Sequence, residues 1–199
     1  MNLIVPPPFQ GQDEKRAQIL QATLELVTEN GFHATPVSLI ANRAGIAAGT
    51  VYVYFKSKEE LINILYGELK ERMGLALLAA HDSTLDFRAR FTQQWRNLFT
   101  YFVQFPLEFR FLEAYSHSSL INSVTREENL RHYQPVIDFI AEGMAQGIFR
   151  EMSLNLAVEL VYSSVCAAAT THLEGIDDFE TTALEGAAFG WYGLTGTSS

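Results

Sequence analysis

Between Val37 and Tyr54 the residue types and their spacing could do one kind of chemistry, the non-covalent reading of a nucleic acid by a helix. Two short crossing helices need a small residue at the crossing, and Ala41 supplies it. The turn between them needs a residue that tolerates positive φ, and Gly45 stands there. Apolar side chains must tie both helices to a third, and Ile40, Ala44, Ile46, Val51 and Tyr54 fall at the required offsets. The unit has the roughly 18-residue span and the three- to four-residue turn of a helix-turn-helix, whose second helix lies in the major groove of DNA. Ordinary helical hairpins show the same small, glycine and apolar offsets, so the pattern alone leaves both readings open.

Covalent chemistry finds no such support. No HExxH, GxSxG, P-loop or GxGxxG run occurs. His33, His81, His117, His132 and His172 are scattered without ligand spacing, so neither a metal site nor a cofactor is expected. The acidic pairs Glu127-Glu128 and Asp177-Asp178 sit at expected helix starts, where the helix dipole accounts for them. The lone Cys166 excludes an internal disulfide framework and a CxxC motif, and it fits a reducing compartment. No enzyme is expected.

The residues around the motif are more specific than the motif. Ile19-Leu20-Gln21-Ala22, Asn30-Gly31-Phe32, Ala34-Thr35, Ile40-Ala41, Ala44-Gly45-Ile46 and the run from Gly49 to Leu61 closely resemble the DNA-binding head of the TetR/AcrR family of bacterial transcriptional regulators. The likeness extends from Lys15 to Leu61 and is most specific in Gly49-Thr50-Val51-Tyr52-Val53-Tyr54-Phe55-Lys56-Ser57-Lys58. Beyond that span only the helical layout and the length agree. The resemblance implies that Ser38 opens the first helix of the motif near base edges. It implies that Ala47, Ala48, Thr50 and Tyr52 lie on the exposed face of the recognition helix. Tyr54 and Lys58 match positions that grip phosphates, and Thr35 matches a helix-start residue facing the backbone. Hydroxyls and helix N-termini suit phosphate oxygens, and Thr or Ala can meet a thymine methyl. The sequence departs from the family where Val53 replaces a common cation and Pro36 a frequent Thr. Direct readout is therefore thin, and DNA shape carries more of it.

The elements that must position these residues are all helical. No stretch alternates apolar and polar residues long enough for a sheet, and no fixed repeat appears. Residues 1–12, with Pro6-Pro7-Pro8, read as an extended arm. A helix from Asp13 stops at Asn30-Gly31. A short helix starts at Pro36 with Thr35 as its cap, and another covers Ala48–Tyr54. Ser57-Lys58-Glu59-Glu60 is a capping box opening a long helix. Further helices run from about Ser83–Asp86 to Phe105, from Pro106, from Thr125 to Gln146 with a bend at Pro135, over Ser153–Leu173 and over Asp177–Gly193. The expectation is an all-α protein of about nine helices. Its DNA-binding domain is 1–57, a three-helix head, and residues 58–199 form a ligand-binding and dimerisation body.

A single head covers only a few base pairs, so a two-fold dimer on a palindrome is the geometric solution. In the last two helices Ser164, Ala168, Gly186 and Gly190 offer small faces, and Leu156, Leu160 and Phe189 offer apolar area. The resemblance implies that these helices pair with their mates in a homodimer. Packing within one chain is the alternative for the small residues. The middle of the chain is strongly aromatic. Trp95, Phe99, Phe102, Phe111 and Tyr115, with Tyr162, Cys166 and the polar groups of His117, Tyr133 and His172, are candidates to line a ligand pocket, or else form solid core. The resemblance implies a ligand-responsive regulator, a repressor released from a palindromic double-stranded DNA operator by a small apolar or aromatic effector. The alternative is a helical sensor or adaptor that no longer binds DNA.

The composition bounds these readings. The 199 residues, 48% hydrophobic and 19% charged, suffice for a core. The first charge is Asp13 and the first cation Lys15, so no basic signal start is present. Apolar runs such as Leu75–Ala80 fall short of the ~20 residues that span a bilayer, which predicts a cytoplasmic protein without a membrane partner. The net charge of −9 argues against a non-specific nucleic-acid coat. Residues 1–60 carry five basic and six acidic side chains, whereas 61–199 carry nine and seventeen, so the acidity belongs to the body. A near-neutral head predicts specific, dimer-dependent binding with weak non-specific affinity.

Overall fold

A computed structural model describes residues 9, 13–79, 82 and 84–196, with the backbone alone at 129. Among the described residues there are ten helices and no strand. They are α1 (Glu14–Asn30), α2 (Val37–Arg43), α3 (Ala48–Tyr54), α4 (Lys58–Leu77), α5 (Phe87–Gln104), α6 (Pro106–Tyr115), α7 (Ser123–Leu130), α8 (Gln134–Ala145), α9 (Leu154–Leu173) and α10 (Phe179–Thr195). Most starts are written in the sequence. The Asp13 carboxylate accepts the N–H groups of Lys15 and Arg16 at the head of α1. The Ser57 hydroxyl accepts the Glu60 N–H at 3.1 Å, and the Glu60 carboxylate reaches back to the Lys56 N–H. Asp86, Ser153 and Asp178 cap α5, α9 and α10 in the same way. Gly31 ends α1 at φ 80° and Gly45 turns α2 toward α3 at φ 69°, a region that favours glycine.

Four local expectations need correction. Thr35 does not cap α2. Its hydroxyl is buried and donates backwards, to Gly31 O at 2.8 Å and Leu26 O at 3.2 Å, and Pro36 takes the cap position. The helix expected from Thr125 to Gln146 is two helices, which brings the number to ten. Asn122 caps the first of them, α7, by accepting the Thr125 N–H at 2.8 Å. Pro135 lies in the first turn of α8, where its missing N–H is harmless, so it starts a helix rather than bending one. Finally, α9 is long and apolar enough to cross a membrane. Its Ala, Cys and Val content gives that composition although no single apolar run is long. Here α9 packs against α5, α8 and α10. The expected arm lies outside the described residues except for Phe9, which is buried.

The chain forms two compact units, and they do not follow the 1–57 and 58–199 division. Of the described residues, one contains 9, 13–72 and 107–129, the other 73–79, 82, 84–106 and 130–196. In the first unit α2 packs on both α1 and α3. Ile19, Leu20, Leu24, Ile40, Val51, Phe55, Leu61 and Leu65 fill its core. The α6 segment belongs to this unit through two polar ties. Arg72 of α4 and Glu108 form a two-pronged pair at 2.9 and 3.1 Å with both side chains buried. The Tyr115 hydroxyl accepts the Phe32 N–H at 3.0 Å, and burial pushes its own pKa up. In the second unit α9 and α10 pack on each other and on α5, and α8 packs on α9.

Candidate nucleic-acid interface and effector cavity

The first unit presents α3 with a bare outer face. Ala47, Ala48, Gly49, Tyr52 and Val53 are exposed, Val53 at 79%, and Ser38 is exposed at the start of α2. Thr50 is half-buried, and Val51 anchors α3 inward. The sequence reading put Ser38, Ala47, Ala48, Thr50 and Tyr52 on that face, and all of them but Thr50 are exposed. The three expected phosphate contacts stand differently. Thr35 is fully buried. The Tyr54 hydroxyl donates to Asp13 Oδ1 at 2.8 Å. That bond holds the Asp13 carboxyl below the usual carboxylate range and raises the Tyr54 pKa. A phosphate at Tyr54 would meet that carboxylate. Lys58 donates from Nζ to the Phe32 carbonyl and lies over the Phe32 ring at 4.0 Å, and burial lowers its pKa.

The cations of this region are mostly engaged inside the unit. Arg16 pairs with Glu68 at 2.7 Å, and Arg43 pairs with Glu25 at 2.9 Å and Glu29 at 3.7 Å. Lys56, directly after α3, keeps 93% of its side chain in solvent and only a loose 4.0 Å approach to Glu60. The sequence counted these charges correctly but could not assign them, because pairing depends on which helix faces which.

In the second unit a cavity of about 40 Å³ lies among Leu77 of α4 and residues of α5, α8 and α9. Trp95, Leu98, Phe139, Ile140, Val161 and Tyr162 are among its walls, and among the described residues no carboxylate or cation lines it. Of the expected pocket residues it gathers Trp95 and Tyr162, and Tyr133 from the further candidates. Phe99 stacks behind Trp95 at 5.5 Å and Phe102 stands edge-on behind Tyr162 at 6.1 Å, so both support the wall from outside. Cys166 is half-buried and off the wall. Phe111 and Tyr115 belong to the other unit, where they stack on each other at 4.7 Å, and His117 is exposed there. His172 sits edge-on to Phe99 and Phe179. The α8 wall was missed, although Val136, Phe139 and Ile140 recur at helical spacing and could have signalled it.

The small residues of the last helices face inward. The Ser164 hydroxyl accepts the Trp95 indole N–H at 2.9 Å. A Cβ on Gly186 would lie 2.5 Å from the Trp95 ring, and one on Gly190 3.2 Å from Phe91. Ala168 is buried. Close helix packing within the chain therefore uses Ser164, Ala168, Gly186 and Gly190. Leu156, Leu160 and Phe189 stay exposed at 51%, 49% and 72%, as do Leu184 and Tyr192.

A helix-turn-helix presented by a small helical unit, with a second all-helical unit enclosing an apolar cavity, defines a DNA-binding regulator of the helical type. Comparison with known proteins makes the class specific. Residues 19–64 match the family described as bacterial regulatory proteins, tetR family, and residues 87–189 match the tetracyclin repressor-like C-terminal domain. The chain belongs to the TetR family, and it is a DNA-binding transcriptional regulator. It is 27% identical over 183 residues to the fatty acid metabolism regulator protein of Bacillus subtilis (strain 168), covering 85% of this chain and 89% of that one. A putative tetR family transcription regulator from Shewanella sp. PV-4 has a similar structure, with TM-score 0.85 and 25% identity over 92% of this chain and 99% of that chain. The fold is also shared with FadR from Bacillus subtilis in complex with stearoyl-CoA, with TM-score 0.67 and 24% identity over 89% of this chain and 98% of that one.

Proposed function

We propose that the protein is a cytoplasmic homodimeric repressor that leaves a palindromic operator when an apolar, aliphatic-chain effector enters the cavity between α5, α8 and α9. The observation that carries this reading is the cavity wall, largely apolar and, among the described residues, free of carboxylates and cations. The likeness to a regulator of fatty acid metabolism supports an aliphatic chain over an aromatic ring. At about 40 Å³ the cavity is far below the ~300–1,000 Å³ of occupied ligand sites. An effector therefore binds only a form in which α8 has parted from α5 and α9. That is the differential affinity a population shift requires. α4 supplies Leu77 to the cavity wall and is continuous back to Lys58, within the DNA-binding unit, so it is the covalent route for the change.

On this reading the outer face of α3 with Ser38 meets the bases: Ala47, Ala48, Thr50 and Tyr52. The Lys56 charge serves the backbone. Fluorescence anisotropy with the DNA upstream of its own gene tests the scheme. Saturating long-chain fatty acids or their CoA thioesters are expected to lower operator affinity at least ~30-fold, about 2 kcal/mol of coupling. Unchanged affinity at saturation with these ligands and with the matching long-chain alcohols would sink the effector reading. Folded dimer that never binds the DNA would favour the adaptor reading instead.

The second copy is expected to cover the exposed strip of Leu156 and Leu160 on α9 with Leu184, Phe189 and Tyr192 on α10. Phe189→Asp puts a charge in the middle of that strip and is expected to weaken dimerisation by about 2 kcal/mol or more per interface, the scale of an aromatic hot spot. Sedimentation velocity reads the result. A Phe189→Asp protein that stays dimeric at low micromolar concentration would remove Phe189 from the interface.

A further inference from the structure

Among the described residues no charged side chain lines the cavity, yet a cation stands against one of its wall residues, Phe139, with a buried donor that has no acceptor. Arg90 lies one helical turn before Gln94 on α5, and Gln94 lines the cavity. Its guanidinium lies over the Phe139 ring at 5.3 Å and the Phe87 ring at 5.0 Å. Phe139 is itself a cavity wall, so one aromatic ring separates the apolar space from the cation. The two rings stack on each other at 4.3 Å.

Among the described basic side chains, Arg90 has the buried N–H, its Nε, with no acceptor. The nearby Glu142 carboxylate approaches Nη2 only to 3.7 Å, beyond hydrogen-bond reach, and already accepts from Gln146 at 2.9 Å. The other arginines of α5 are engaged elsewhere. Arg88 donates to the Tyr192 hydroxyl and Arg96 pairs with Glu180. A buried charged donor left without an acceptor is unfavourable, and a ligand oxygen would remove that penalty. Guanidinium N–H groups in a fixed fork match an anionic oxygen pair.

Resting on the effector reading above, we propose that Arg90 is the anchor for an anionic head. The effector is then an anionic amphiphile whose chain enters the cavity and whose carboxylate, or the phosphate of a thioester conjugate, is held by Arg90 at the rim. The apolar wall selects the chain, and Arg90 selects the charged end.

Calorimetric titration of the full-length protein tests this with saturated fatty acids from decanoate to stearate, their CoA thioesters and the matching primary alcohols. The variants are Arg90→Met, which keeps a stem on the Phe87 and Phe139 rings, and Arg90→Lys, which keeps the charge. Thermal melts of each variant confirm folding. Arg90→Met is expected to lose about tenfold or more in affinity for the anionic ligands, the scale of a charged hydrogen bond, with the alcohols unchanged. Arg90→Lys is expected to recover part of the loss. Loss confined to the thioesters supports the proposal with phosphate as the anion, and loss shared by the free acids supports it with carboxylate. Equal losses for acids and alcohols, or no loss in Arg90→Met, overturn it. Wild-type protein that binds alcohols but no anion overturns it and leaves the effector reading standing. Wild-type protein that binds none of the chains overturns both.

Discussion

Replacing Glu108 with glutamine is expected to cost the protein about 3–5 kcal/mol of stability, the scale for breaking a buried ion pair from one side. Arg72 and Glu108 keep only 7% and 3% of their side chains in solvent, and two hydrogen bonds at 2.9 and 3.1 Å join them. Glutamine presents one carbonyl oxygen where the carboxylate presents two charged ones. The Arg72 guanidinium then stays buried without the charge of Glu108 beside it. Urea unfolding of the wild type and Glu108→Gln reads the loss directly. The double variant Arg72→Met with Glu108→Leu is expected to recover most of it, because two apolar side chains of similar bulk leave no stranded charge. A single-variant loss below about 1 kcal/mol would put the pair in the class of surface bridges. The functional weight of this pair comes from α6. The same helix ends at Tyr115, whose hydroxyl accepts the N–H of Phe32 in the turn after α1. Loosening α6 therefore also loosens the turn that leads into the helix-turn-helix.

The substitution Ala48→Glu is expected to abolish operator binding without harming the fold. Ala48 is the exposed first residue of α3. On the proposed reading a carboxylate there enters the groove between the phosphates, and such a like-charge approach costs several kcal/mol, a loss of more than about a hundredfold in affinity. Folding is unaffected or slightly improved, because a carboxylate in the first turn of a helix interacts favourably with the helix dipole by about 0.3–1 kcal/mol. Anisotropy titrations and a thermal melt separate the two effects. Ala48→Ser, which adds a small hydroxyl and no charge, is the control. Retained affinity in Ala48→Glu with the dimer intact would show that α3 does not face the DNA.

Some of the site was legible because it depends on neighbours in sequence. Gly45 in the turn, Ala41 at the crossing and the Ser57 box act within a few residues, and their offsets survive in a linear reading. The exposed face of α3 and the phosphate roles of Tyr54 and Lys58 come from the family resemblance instead, and the partners these two side chains find, Asp13 and Phe32, lie 41 and 26 residues away. Local reading failed for Thr35, whose polarity suggested a cap while the packing of α1 buried it.

The sequence by itself determined the all-helical class and the helix-turn-helix. Helical periodicity, caps and turn glycines are local, and composition needs no coordinates. Only the tertiary structure decided how the aromatic cluster divides. Trp95 and Tyr162 reach a cavity, while Phe111 and Tyr115 pack in the DNA-binding unit. It also decided that Gly186 and Gly190 make room for Trp95 and Phe91 while Phe189 stays outside. And it set the unaccepted Nε of Arg90 beside a neutral cavity. These outcomes depend on which helix faces which. That choice is made by side-chain volume and charge pairing between segments far apart in the chain, which no spacing rule along the chain encodes.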